Sequence, residues 1–177
     1  MDDNQTLHGT VIDDYPVLGG LDWLKEQSLN VVIAIGNPLA RKIVMERLDG
    51  SQNEYPVLLH PNAIVSSRAH IGYGVVVCAG SVVNVGATLE DHSFVNPSCT
   101  IGHDGTIGSY CMLLPGVNAA GHVRLEECVS VGTGAAIIQG ITIGARAVIG
   151  AGAVVVRDLP ADCTVVGAPA KPIKFRG

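Results

Sequence analysis

The sequence predicts a mainly β fold, a parallel β-helix of triangular coils preceded by a small α/β unit, and three observations predict it. Every sixth residue from Leu59 to Val155 is Val, Ile or Leu, with the single exception of Ala119, across seventeen positions without insertion or deletion. The fourth residue after each aliphatic is mostly small or slim, as at Ala63, Ala69, Val75, Ser81, Ala87 and Cys99. Glycine often follows the aliphatic directly, as in Ile71-Gly72, Ile101-Gly102, Val131-Gly132 and Ile149-Gly150. A period of six matches neither the 3.6 of a helix nor the 2 of a flat strand, so the repeat takes precedence over local propensity. A chain that turns a corner every six residues closes a triangle in eighteen, with the aliphatic and the small residue inward and glycine easing the corners. Residues 59–160 then make about six coils, a prism roughly 27 Å long at the ~4.8 Å strand spacing. One unit cannot bury its own apolar face, so the stack is the fold.

The elements before the repeat follow other rules. Thr10-Val11-Ile12 is a short strand, residues 21–27 a short helix with Asp22 in its first turn, and Asn30 to Ile35 an apolar strand. Asn37 is placed to cap a helix that has Pro38 at its first position, runs through Leu48 and stops at Gly50. This alternation suggests a small parallel α/β unit. It contains no GxGxxG, and its one candidate turn, Ile35-Gly36-Asn37-Pro38, has a single glycine.

Composition narrows the class. Aromatic residues make up 4% of the chain against 22 glycines, which suits a thin core of branched aliphatics. No apolar run approaches a membrane span and no charged start leads into an apolar block, so a cytoplasmic protein without a membrane partner is expected. Five cysteines, with Cys99 and Cys111 on inward positions, predict buried reduced thiols rather than a disulfide framework. The net charge is −5, yet from residue 141 onward five basic residues (Arg146, Arg157, Lys171, Lys174, Arg176) face only Asp158 and Asp162. That basic end lacks the interleaved aromatics of a nucleic-acid surface and fits a small polyanion better.

Among six histidines, His103 stands out because it follows Ile101-Gly102 at a corner and precedes Asp104. Eighteen residues on, Gly121 stacks upon it, leaving room beside the imidazole for a ligand to pass and a backbone N–H to meet an oxyanion. The same arithmetic sets His122 over Asp104. A carboxylate between two imidazoles fixes a tautomer and raises basicity, as a general base requires. His60, His70 and His92 occur singly at corner or outward positions and are expected to be solvated.

The repeat resembles the left-handed β-helix of hexapeptide-repeat acyltransferases. More narrowly, the chain resembles the subgroup of bacterial sialic acid O-acetyltransferases and N-acetyltransferases of UDP-linked 4-amino-sugars. Asp2-Asp3-Asn4, residues 15–20, residues 31–36 with Arg41, residues 95–104, residues 115–121 and Val166-Gly167-Ala168-Pro169-Ala170-Lys171 carry the resemblance. It implies that residues 1–56 are a truncated Rossmann-like unit on the acceptor side, without its opening strand and glycine-rich turn. Asp2, Asp3, Asn37 and Arg41 are its expected substrate-binding residues. Residues 57–177 are the expected acetyltransferase domain with a C-terminal tail. The resemblance makes His103 the base that deprotonates an acceptor amine or hydroxyl, oriented by Asp104, for direct attack on acetyl-CoA. Gly121 borders the pantetheine, and the C-terminal end of the prism holds the CoA phosphates near Gly150, Ala151, Arg157 and Lys171. The family's second histidine, nine residues after the first, falls on Met112, so cofactor binding differs there or His122 substitutes. A homotrimer with sites between subunits and no metal completes the expectation.

Three alternatives share the prism. A non-catalytic trimeric scaffold would not need His103-Asp104 facing a glycine. A γ-carbonic-anhydrase-like metalloenzyme needs two histidines five residues apart, a spacing absent from this chain. A serine acetyltransferase would carry a helical region before the repeat instead of the strand pattern at residues 30–36.

Overall fold

The computed structural model describes residues 1–175; Arg176, one member of the basic end, lies outside the described residues. From Leu58–Leu59 to Val154–Val155 the chain forms seventeen two-residue strands, each starting six residues after the last. They line the three faces of the prism as sheets of six, five and six strands, the last extended to eight by the two strands of a C-terminal hairpin. Parallel pairing at a separation of eighteen, as between Ile101 and Ala119 or Met112 and Ser130, sets each coil squarely on its predecessor. The repeated aliphatics fill the interior: Leu89, Ile101, Ile107, Leu113 and Ile143 have no exposed surface. Each such burial stabilises the stack by about 1.5–3 kcal/mol. Leu59 occupies the same position in the first coil yet is 46% exposed, because no coil lies beneath it. All five cysteines are free, and Cys99, Cys111, Cys128 and Cys163 are buried. Burial pushes their thiols above the ordinary range, which keeps them unreactive.

The corners place the chemistry. Three columns of left-handed residues run up the prism: His92, Tyr110, Cys128 and Arg146 in one, Ser98 among glycines in the second, Asp104 and His122 in the third. The last full coil is shorter, with Ile143 bridging to Leu159 and Val148 pairing with Thr164. An antiparallel hairpin, Cys163–Val166 with Lys171–Phe175, then closes the top. Among the described residues no helix is long and apolar enough to cross a membrane.

The N-terminal unit comprises an antiparallel hairpin of β1 (Val11–Ile12) and β2 (Tyr15–Pro16) and two helices, α1 (Leu21–Lys25) and α2 (Pro38–Arg47). Asn37 caps α2 by accepting from the Ala40 N–H, with Pro38 in the first turn. The expected strand at residues 30–35 is not one. Asn30 makes a single parallel bridge to Glu54, and Val32 and Ile35 remain 37% exposed. Apolar periodicity prepares a segment for a sheet, but a ladder needs a neighbour, and among the described residues none runs beside 31–35. No parallel sheet forms among the described residues of this unit.

What ties α2 to the prism is Arg41, expected on the substrate and found buried at 1% exposure. Its Nε donates to the His92 carbonyl, Nη2 to the carbonyls of Tyr110 and Cys111, and Nη1 to Ile35, while its guanidinium lies 5.9 Å over the Phe94 ring. One planar fork thus clips two successive coils and the α2 approach together, a geometry that lysine does not match. His92 also departs from expectation: it is 2% exposed, stacked on Tyr110 and met edge-on by Tyr55 and Tyr73. Glycine at position 74 makes room for it, since a Cβ there would overlap the ring. A corner is solvated only if nothing docks on it, and α2 docks on this one.

Burial holds the His92 pKa below its ordinary value, opposed by Asp91 and reinforced by Arg41. The unfolded chain therefore takes up this proton first. Stability is complete above the ordinary histidine value of about 6.5 and is lost as pH falls below it, by at most about 1.4 kcal/mol per pH unit. Urea midpoints between pH 7 and 5 should fall more steeply than in His92→Asn, which keeps a residue tolerant of the left-handed corner. Equal slopes would exclude His92 as the source.

Candidate active site

The third corner brings together the residues singled out by stacking arithmetic. His103 Nδ1 lies 3.0 Å from Asp104 Oδ2, with both side chains about half exposed at 50% and 55%. The His122 ring meets the His103 ring edge-on at 4.8 Å between centroids. The His122 N–H donates to the His103 carbonyl at 2.9 Å, so adjacent coils lock the two imidazoles in register. Asp104 is held below the usual carboxylate range, first by its hydrogen bond from His103 and then by the nearby His122, His103 and Arg68. An ionised Asp104 accepts from Nδ1–H and leaves the Nε2 lone pair free.

Gly121 does something different from what its stacking position led us to expect. A Cβ on it would stand 2.5 Å from His103 Nε2, so the space made by the missing side chain is taken by the imidazole itself. Gly121 is buried, so it seats the base. Met112 also differs. It is buried, and its sulfur accepts from Asn96 Nδ2 at 3.1 Å while the same amide donates to the Leu113 carbonyl. The neighbour that covers the thioether is sixteen residues away, which the pairing register reveals and composition does not.

The other expected residues are dispersed. Asp2 and Asp3 line a cleft of about 260 Å³ with Met1, Leu21, Ile35 and Val44. Asp3 is committed within it, accepting from the Leu21 N–H and pairing with Arg47 at 2.7 Å, and both contacts hold its carboxyl below the usual range. Asn37 lies in a separate cleft of about 260 Å³ with Cys128, Ser130 and Arg146. At the top of the prism Ala151, Arg157 and Lys171 are exposed and Gly150 half-buried, whereas Arg146 is tied to Asp162 by two hydrogen bonds. Arg68, absent from the expectations, sits one coil below Gly86 in the Asp104 column, a position the period of eighteen could have revealed.

No family model matches the chain. It is 32% identical over 179 residues to the GDP-perosamine N-acetyltransferase of Escherichia coli, covering 97% of this chain and 80% of that one. It is 38% identical over 108 residues to a serine acetyltransferase of Synechococcus elongatus, of whose length it spans only 44%. Among solved structures, the acetyltransferase domain of PglB from Neisseria gonorrhoeae in complex with acetyl coenzyme A superposes with a TM-score of 0.90 at 37% identity, over 98% of this chain and 84% of that one. PerB from Caulobacter crescentus in complex with CoA and GDP-perosamine superposes with a TM-score of 0.87 at 35% identity, over 92% and 81%.

Proposed function

The chain belongs to the hexapeptide-repeat acetyltransferases, with their left-handed β-helix, and from that premise we propose that it transfers the acetyl group of acetyl-CoA to the amine of a nucleotide-linked amino-sugar. The observation that carries this reading is the His103–Asp104 hydrogen bond at a half-exposed corner. His103 Nε2 takes the proton of the acceptor amine as its nitrogen bonds to the thioester carbon. The tetrahedral adduct collapses, the C–S bond breaks, and the same proton passes to the departing thiolate. Asp104 keeps Nδ1 protonated and offsets the charge that appears on the ring. His122, on the next coil, takes the place that the family's second histidine holds, since Met112 is turned to Asn96.

Acetyl-CoA is the donor in this reading, with its phosphates at the top of the prism near Arg157 and Lys171. The acceptor falls to residues 1–56, where a mainly apolar cleft carries Asp2 and Asp3, the latter already paired with Arg47. N-acetylation is preferred to O-acetylation because the perosamine enzymes of Escherichia coli and Caulobacter crescentus among the relatives are named N-acetyltransferases. A cytoplasmic homotrimer belongs to the same reading. Five unpaired cysteines suit a reducing compartment. The N-terminal unit docks on the His92 corner, one triangle edge away from the His103 corner of the same chain. A neighbouring subunit bringing its own N-terminal unit to His103 would complete the site.

A panel assay tests the proposal. Thiol release from acetyl-CoA should depend on an amino-sugar nucleotide, with GDP-perosamine and UDP-linked 4-amino-sugars active and sialic acid inert. Equal release with and without every acceptor would sink it.

A further inference from the structure

The His103 corner holds donors of a second kind of chemistry. We propose that His103, Asp104 and His122 capture a divalent transition-metal ion, Zn²⁺ above all, and that capture switches the base off; the second half rests on the acetyl-transfer reading. One ligand atom from each of the three residues lies within 4.8 Å of the others, a grouping of two imidazoles and one carboxylate. That donor set suits Zn²⁺, Co²⁺, Ni²⁺ and Cu²⁺ and disfavours the all-oxygen ions Mg²⁺ and Ca²⁺.

Donors around a tetrahedral zinc at 2.0–2.1 Å stand roughly 3.3 Å apart, so the present spacing must close by about 1.5 Å at most. Side-chain rotation supplies this, because all three residues are exposed. The backbone need not move: residues 104 and 122 sit one above the other on left-handed corners, locked by the His122 N–H to His103 carbonyl bond. Their exposure lets a hydrated ion arrive and keep water in its fourth position. Arg68 opposes a cation here, but it is the weakest of the charged groups acting on Asp104.

Capture and catalysis compete for the same electrons. The working base has its proton on Nδ1, toward Asp104, and its lone pair on Nε2. A metal bound to Nδ1 requires that lone pair, so the ring proton moves to Nε2, where it occupies the site that must accept the acceptor's proton. No bond other than this tautomeric N–H is exchanged. Acid weakens capture, since protons compete for both imidazoles.

Titration of the full chain with CoCl₂, followed by visible d–d absorption, and with ZnCl₂, followed by calorimetry, tests the site. One ion per chain is expected, with affinity reduced at least about tenfold in His122→Asn and in Asp104→Asn, since a lost ligand should cost no less than a lost outer-shell partner. Asparagine tolerates the left-handed backbone at both positions, and circular dichroism checks that each variant is folded. Zinc should inhibit acetyl transfer and EDTA restore it. Absence of saturable binding, or unchanged affinity in both folded variants, overturns the site. Binding without inhibition overturns the switch. Binding by a zinc-free chain that acetylates no acceptor supports the site and overturns the functional reading instead.

Discussion

Alanine at position 103 should lower kcat by about 10²- to 10⁴-fold while leaving the fold in place. The separation of the two effects follows from the geometry. The His103 side chain is half exposed and its hydrogen bond among the described residues runs to its sequence neighbour, so its loss should change stability by no more than about 0.5 kcal/mol. Gly121→Ala gives an independent route to the same result. Its methyl would sit 2.5 Å from Nε2 and must displace the imidazole, whereas the backbone there is not left-handed and accepts alanine without strain. Steady-state kinetics beside thermal melts decide the matter. A His103→Ala variant that keeps more than a tenth of wild-type kcat would remove the base from this corner.

Arg41→Met should destabilise the protein by about 3 kcal/mol or more, because the buried carbonyls of His92 and Cys111 and the part-buried ones of Ile35 and Tyr110 lose a charged donor at once. Burial lowers the Arg41 pKa from its ordinary value, yet a guanidinium remains cationic at any pH of interest, so the loss should not depend on protonation. Arg41→Lys should recover only part of it, since one ammonium cannot reach the same fan of carbonyls. Urea unfolding followed by the fluorescence of Trp23, which lies in α1, reports release of the N-terminal unit. Were Arg41 an acceptor ligand instead, methionine would raise KM for the acceptor and leave the urea midpoint unchanged.

Residues that look alike in the sequence end in different environments. His92 and His103 are both lone histidines near corners, and the period assigns each to a column without saying what lies against that column. His92 is roofed by three tyrosines and α2, while His103 faces solvent with only Gly121 and His122 beside it. Arg41 was matched to the acceptor by resemblance, and its carbonyl partners at positions 92, 110 and 111 lie too far along the chain for any local pattern to announce them. The segment at residues 31–35 shows the converse: its apolar pattern was legible, but the partner strand that would make it a ladder was not there to be read.

Periodicity by itself determined the prism, its inward aliphatics and the stacking of residues 103, 104, 121 and 122, because an eighteen-residue coil converts sequence separation directly into spatial adjacency. Only the tertiary structure decided which corner is covered, that Arg41 is a clip and Gly121 a seat for the base, and where Met112 turns its sulfur. Those outcomes depend on packing between segments whose separation obeys no repeat, and burial and hydrogen-bond partnership are properties of such packing rather than of either segment alone.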